Sequence, residues 1–241
     1  MSRRSGPGAP PDGGPPGLRP AAPRRVSGVG RLIVIEGLDG AGKRTLAEKL
    51  TAALTERGAK VITKAFPRYG KSVTADLVHD GLHGRLGKLG ESVYGTAVLY
   101  ALDRQGAAAD LQFALDTSDV LLLDRYIASN AAYGAARLHE DADGEFVEWV
   151  RALEVDRFAL PVPHAQLLLR VPAELAVARA EHREKTEDRA RDKWEADGGL
   201  QARCAAVYDG LAAKGWLSPW HVLDGTADTD FAALAATLLE P

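Results

Sequence analysis

Between Glu36 and Thr45 the chain reads EGLDGAGKRT, a set of residue types suited to holding an anion. Gly37, Gly40 and Gly42 let the backbone curl until successive N–H groups converge on phosphate oxygens. A helix beginning near Lys43 adds the partial positive charge of its N-terminus, and Lys43 itself adds a full one. Gly37, Gly42 and Lys43 match the spacing GxxxxGK, which normally continues with a Ser or Thr whose hydroxyl meets a magnesium ion. Here Arg44 fills that place, and the hydroxyl arrives one residue late as Thr45. The plain alternative is a Gly-rich turn between a strand and a helix. The register of the Gly-Lys pair within strand, loop and helix favours phosphate.

A second group lies in DVLLLDRY, residues 119–126. Four apolar residues lead into Asp124, placing a carboxylate at the carboxyl end of a strand, where such an acid commonly holds magnesium. Arg125 beside it can neutralise phosphoryl oxygens. Read alone, the pair is equally a capping Asp and a solvated Arg. A third group, RAEHREKTEDRARDKWE at 179–195, carries Arg179, Arg183, Arg189 and Arg191 with little apolar content. It fits a lid over 181–193 whose arginines close on nucleotide phosphates. It fits equally a solvated helix face laced with ion pairs through Lys185 and Glu187.

These groups need elements to hold them. RLIVIEG (31–37), AKVITKAF (59–66), DVLLLDRY, HAQLLLRV (164–171) and PWHVLDG (219–225) read as five strands. Between them run helical patterns at about 43–57, 72–80, 91–115, 130–138 and 144–159, then after Pro172, around Leu200–Leu211, and at the C-terminus. In the first of these, Leu46, Leu50, Ala53 and Leu54 share a face. Strands separated by helices predict an α/β fold with a parallel sheet covered on both faces. Ligands in such folds bind at the carboxyl ends of the strands.

Composition sets the outer limits. The 241 residues suit one large α/β domain or at most two small ones, and with 46% hydrophobic and 26% charged residues the chain reads as soluble and globular. Residues 1–30 are rich in Pro and Gly and nearly devoid of large apolar side chains, so they are expected to be a disordered tail. That tail carries five Arg and one Asp, so the formal −3 of the chain leaves −7 on residues 31–241. Such a body argues against nucleic acid as a partner. The one cysteine, Cys204, excludes an internal disulfide and is expected to be buried. With no apolar run near ~18 residues and no signal-peptide core, no membrane partner and a cytoplasmic location are expected.

The motifs FPRYG (66–70), ALDRQG (101–106), DRYIASNAAY (124–133) and RARD (189–192), taken with EGLDGAGKRT, resemble thymidylate kinase, particularly its actinobacterial branch. The resemblance runs in order from about residue 31 to the C-terminus. It implies a single phosphate-loop domain over 31–241, a five-stranded parallel sheet with helices on both faces, and a short Arg-bearing lid. It further implies transfer of the γ-phosphoryl of ATP to dTMP by a homodimer, with magnesium. Carried onto this chain, Gly37, Asp39, Gly40, Ala41, Gly42, Lys43, Arg44, Thr45, Arg179, Arg183 and Arg189 would meet ATP. Phe66 and Tyr69 would line the dTMP pocket with Arg68 between them, and Tyr100 would lie against the thymine. Arg104 would bond a thymine carbonyl, Asn130 would face the base, and Tyr133 would pack beneath the deoxyribose. Asp39 would lie near the acceptor sugar and phosphate, Arg125 would bridge the two phosphates, and Asp192 would join the acceptor site. Lys43, Arg125, Asp39 and Arg183 would carry catalysis.

The chain departs from that pattern in three ways. Tyr100 stands where a Phe is common, Trp194 where a Tyr is usual, and the lid is one residue shorter with Thr186 and Glu187 in it. Because Arg44 cannot coordinate a cation, magnesium is expected on carboxylates and water, with Asp39, Asp124 and Glu195 the candidates. A GTP-dependent switch would need a guanine-reading NKxD, which the chain lacks. A kinase for dCMP or a deoxynucleoside, or a regulator keeping only the nucleotide fold, are the other readings.

Overall fold

The computed structural model describes residues 30–179 and 198–240. Residues 1–29 of the expected tail and the whole of the proposed lid over 181–193, with Arg183, Arg189 and Asp192, lie outside these residues, as do Trp194 and Glu195. Five strands form the sheet: β1 Arg31–Glu36, β2 Val61–Ala65, β3 Val120–Asp124, β4 Ala165–Arg170 and β5 Trp220–Asp224. Their order is β2-β3-β1-β4-β5, and every pairing is parallel. The central strands are buried nearly end to end, as continuous apolar runs must be when helices cover both faces. At the edges, β2 and β5 alternate between half-buried and exposed positions.

The helices are α1 Lys43–Glu56, α2 Val73–Leu82, α3 Lys88–Glu91, α4 Val93–Gly106, α5 Ala108–Thr117, α6 Ile127–Leu138 and α7 Glu145–Arg151. After them come α8 over residues 173–179, α9 Gly198–Ala213 and α10 Phe231–Leu239. On α1, Leu46, Leu50 and Leu54 are buried as their spacing predicts, with Ala53 half-buried. Cys204 is buried on α9.

Two helical expectations need correction. The stretch 91–115 is not one helix but is broken into α3, α4 and α5. Ser92 accepts from Gly95 N at 3.0 Å, an N-cap bond that starts α4 afresh. Likewise 144–159 is α7 followed by a π-helical segment, Ala152–Arg157. Apolar periodicity alone cannot show either change of winding.

Register aligns the business ends of the strands. Ile35 and Ala65 both pair with Asp124, so the carboxyl ends of β1, β2 and β3 stop at one level. Backbone bonds extend the alignment one residue further: Arg125 N donates to Ile35 O at 2.9 Å, and Phe66 N to Asp124 O at 3.0 Å.

Candidate active site

The loop after β1 takes its shape from its glycines. Gly37, Gly40 and Gly42 have φ of 138°, 84° and 100°, in the half of backbone space that side chains disfavour. At Gly40 the need is also steric: a Cβ there would lie 2.1 Å from the carbonyl oxygen of Ala176 on α8. Gly42 caps α1 without a side-chain bond, so the first-turn N–H groups of α1 have no side-chain acceptor at the cap. Lys43 is buried, and its Nζ donates to the carbonyls of Gly37 and Leu38 at 3.2 and 2.8 Å. Burial and then the nearby Arg125 charge push its pKa down to about 8, against the pull of Asp39, Asp124 and Glu36.

Arg125 is the hub of the site. Its φ of 65° is rare for a residue with a side chain, and such strain gathers where function holds it. Its Nη2 donates to Asp39 Oδ1 at 2.7 Å and its Nη1 to Ser129 Oγ at 3.0 Å. The guanidinium lies over the Tyr133 ring, 5.2 Å from its centre. Tyr133 OH in turn donates to Asp39 Oδ2 at 2.8 Å. Burial opposes ionisation of Asp39, but Arg125 and Lys43 outweigh it and hold the carboxyl well below the usual range. Arg125 thus joins the phosphate loop to α6.

Behind this hub sits Glu36, which the sequence reading assigned no role. It is fully buried and accepts from Tyr126 N at 2.9 Å, Ser129 Oγ at 2.5 Å and Tyr208 OH at 3.1 Å. Burial raises its pKa despite those donors and the Arg125 charge. An acid closing an otherwise apolar central strand was the available signal, since a buried carboxylate needs nearby donors.

A cleft of about 1390 Å³ runs over the ends of the strands. It gathers Asp39, Gly40, Ala41, Gly42, Lys43, Arg44, Thr45, Phe66, Tyr69, Tyr100, Arg104, Asp124, Arg125, Asn130, Tyr133 and Arg179. Of the expected residues that are described, Gly37 and Arg68 lie outside the lining. Arg179 Nη1 reaches the loop, donating to Ala41 O at 3.3 Å. Arg44 is turned to solvent and pairs with Glu48 at 3.1 Å. Arg68 does not line the cleft: Asp103 holds it, taking Nε at 2.8 Å and the backbone N at 2.9 Å. Deep in the cleft, Arg104 is 2% exposed and bonded to Glu154, as is Asn130.

The turn after β5 also lines the cleft, through Asp224, Gly225, Ala227, Asp228 and Thr229, with Phe231 and Lys49 beside it. This wall was missed, although its place after the carboxyl end of a strand was a signal. The two described metal candidates differ in their surroundings. Asp124 Oδ1 is buried with no hydrogen-bond partner among the described residues, whereas both Asp39 oxygens accept bonds. No cluster of three His, Cys, Asp or Glu side chains suited to a metal occurs among the described residues. No helix among them is long and apolar enough to cross a membrane.

The phosphate loop, Lys43 and Arg125 all face one cleft at the carboxyl ends of the strands. Fold and site together define a phosphotransferase of the phosphate-loop kinase class. The model of one family, thymidylate kinase, matches residues 35–217. Over 211 residues the chain is 53% identical to the thymidylate kinase of Mycobacterium tuberculosis, covering 87% of this chain and 98% of that protein. It is 37% identical over 203 residues to the thymidylate kinase of Xanthomonas oryzae pv. oryzae, covering 83% of this chain and 78% of the other. The chain belongs to the thymidylate kinase family.

Proposed function

We infer that this site transfers the γ-phosphoryl group of ATP to dTMP, giving dTDP and ADP. The observation that carries the reading is one cleft holding both the phosphate loop and the buried pair Arg104 and Asn130. Arg125 ties the two halves, bonding Asp39 of the loop and Ser129 of α6, the helix that also bears Asn130. A panel of nucleoside monophosphates, assayed by ADP release, tests it.

Phosphoryl transfer asks a protein for alignment and charge compensation rather than covalent chemistry. The acceptor is already an anionic phosphate oxygen, so a strong general base is unnecessary. In this reading the loop amides, Lys43 and Arg179 hold the donor phosphates, with Arg183 and Arg189 of the lid. Arg125 compensates charge on the group in transit. Phe66, Tyr69 and Tyr100 enclose dTMP, and Asp192 joins from the lid. Tyr133, fixed by its bond to Asp39, packs beneath the deoxyribose, where a 2′-hydroxyl would crowd it. The active species is a homodimer acting on small molecules in the cytoplasm.

The site suits magnesium in one specific way. That ion keeps several waters and takes one or two carboxylates plus substrate phosphates, rather than a full protein cage. The orphaned Asp124 oxygen and the Asp39 carboxylate are such a sparse set, with Glu195 the third candidate. When bound, the ion would neutralise charge on the β- and γ-phosphates. Asp39→Asn is expected to raise the half-saturating magnesium concentration about tenfold or more. Thr45→Ala should instead raise the KM for ATP severalfold and leave the magnesium requirement near wild type. A magnesium titration of both variants decides, and the opposite pattern returns the metal to Thr45.

A further inference from the structure

Glu154 is wholly buried and does not line the cleft, yet it bonds two residues that do. Its Oε2 accepts from Arg104 Nε at 2.5 Å, and its Oε1 from Arg104 Nη2 at 2.7 Å and Asn130 Nδ2 at 2.8 Å. It stands in the π-helical segment Ala152–Arg157. Such segments are rare and recur at functional sites, and this one carries the acid that links α4 to α6.

The consequence is a fixed polarity. Arg104 commits its Nε edge to Glu154, and no acceptor among the described residues meets Nη1. Asn130 turns both amide hydrogens inward, one to Glu154 and one to Ala97 O at 3.1 Å. Because both neighbours are acceptors, the amide nitrogen must face them, which leaves Oδ1 as an acceptor. Neither Arg104 Nη1 nor Asn130 Oδ1 is among the sealed, unpartnered polar atoms.

We propose that Glu154 is a positioning residue that sets this order, a donor on Arg104 beside an acceptor on Asn130. It thereby selects a pyrimidine bearing a 4-oxo group and an N3–H over one bearing a 4-amino group and a bare N3. The proposal rests on the reading of dTMP as acceptor. A thymine edge presents acceptor and donor in the matching order, whereas cytosine reverses both and leaves buried polar groups unpaired.

The test is Glu154→Gln, which keeps the shape but replaces one accepting oxygen with a donating amide. The KM for dTMP should rise about tenfold while kcat changes by less than about threefold. The preference for dTMP over dCMP in kcat/KM should fall at least about tenfold. A purely structural role would lower Tm and weaken both substrates alike, and an unchanged preference overturns the proposal. Should that variant not fold, Glu154→Asp carries the same test, because the shorter carboxylate cannot hold both partners. Its preference should weaken severalfold, and a wild-type preference overturns the proposal. A wild-type enzyme that favours dCMP would refute the acceptor reading instead. A preference that still moves in Glu154→Gln would then support the positioning role.

Discussion

Replacing Arg125 with alanine is expected to lower kcat by about 10³-fold, with a smaller change in either KM. An arginine that meets the group in transit acts most strongly in the transition state, where negative charge spreads over the equatorial oxygens. Here that arginine is anchored from several sides: Asp39 at 2.7 Å, Ser129 at 3.0 Å and the face of Tyr133. Anchoring fixes the guanidinium before substrate arrives, so little reorganisation is needed when the phosphoryl group moves. Arginine already adopts the φ of 65°, so alanine adds no backbone strain, and losing the bonds to Asp39 and Ser129 costs about 1–3 kcal/mol of stability. Thermal melting separates that cost from catalysis, because a folded variant compared below its Tm reports kcat alone. A variant keeping more than about a tenth of wild-type kcat, a loss under ~1.4 kcal/mol, contradicts the central role given to Arg125.

Gly40→Ala is expected to have the second largest effect, raising the KM for ATP at least about tenfold and destabilising the fold by about 2–4 kcal/mol. Two costs combine at this position. The φ of 84° disfavours any side chain, and the new Cβ would lie 2.1 Å from Ala176 O, a backbone atom that cannot swing aside. The loop must therefore shift, and its N–H groups shift with it. Gly58 supplies the control, since its φ is 86° and a Cβ there would meet nothing within 4 Å. Gly58→Ala should cost only about 1 kcal/mol and leave the KM for ATP unchanged. If the two variants melt alike and bind ATP alike, the close approach to α8 does not shape the loop.

Much of the scaffold was legible because its signals are local. RLIVIE and VLLLD are continuous apolar runs that only a doubly covered strand explains, and both lie in the sheet centre. Gly37, Gly42 and Lys43 announced the loop by spacing alone, and Asp124 announced the strand end beside it. The breaks at Ser92 and Ala107 escaped because apolar spacing continues across them: the Ser92 cap bond does not show in periodicity, and Ala107 has no side-chain cap to mark the change. The partners of the site were less legible still. Asp103 and Arg104 are neighbours in sequence, yet one locks Arg68 and the other pairs with Glu154, 50 residues away. Glu154 lies in a segment whose winding no local pattern predicts. Glu36 was visible as an acid ending an apolar strand, but its donors Ser129 and Tyr208 come from distant helices. Pairings across such distances are properties of the packed fold.

The most direct test is ADP release from ATP and magnesium with dTMP, dUMP, dCMP or dGMP as acceptor, compared as kcat/KM. The account predicts dTMP first, with dUMP lower by about 10–200-fold for the missing methyl, and dCMP and dGMP lower still. A preference for dCMP or dGMP, or no acceptor-dependent ADP release, would contradict it.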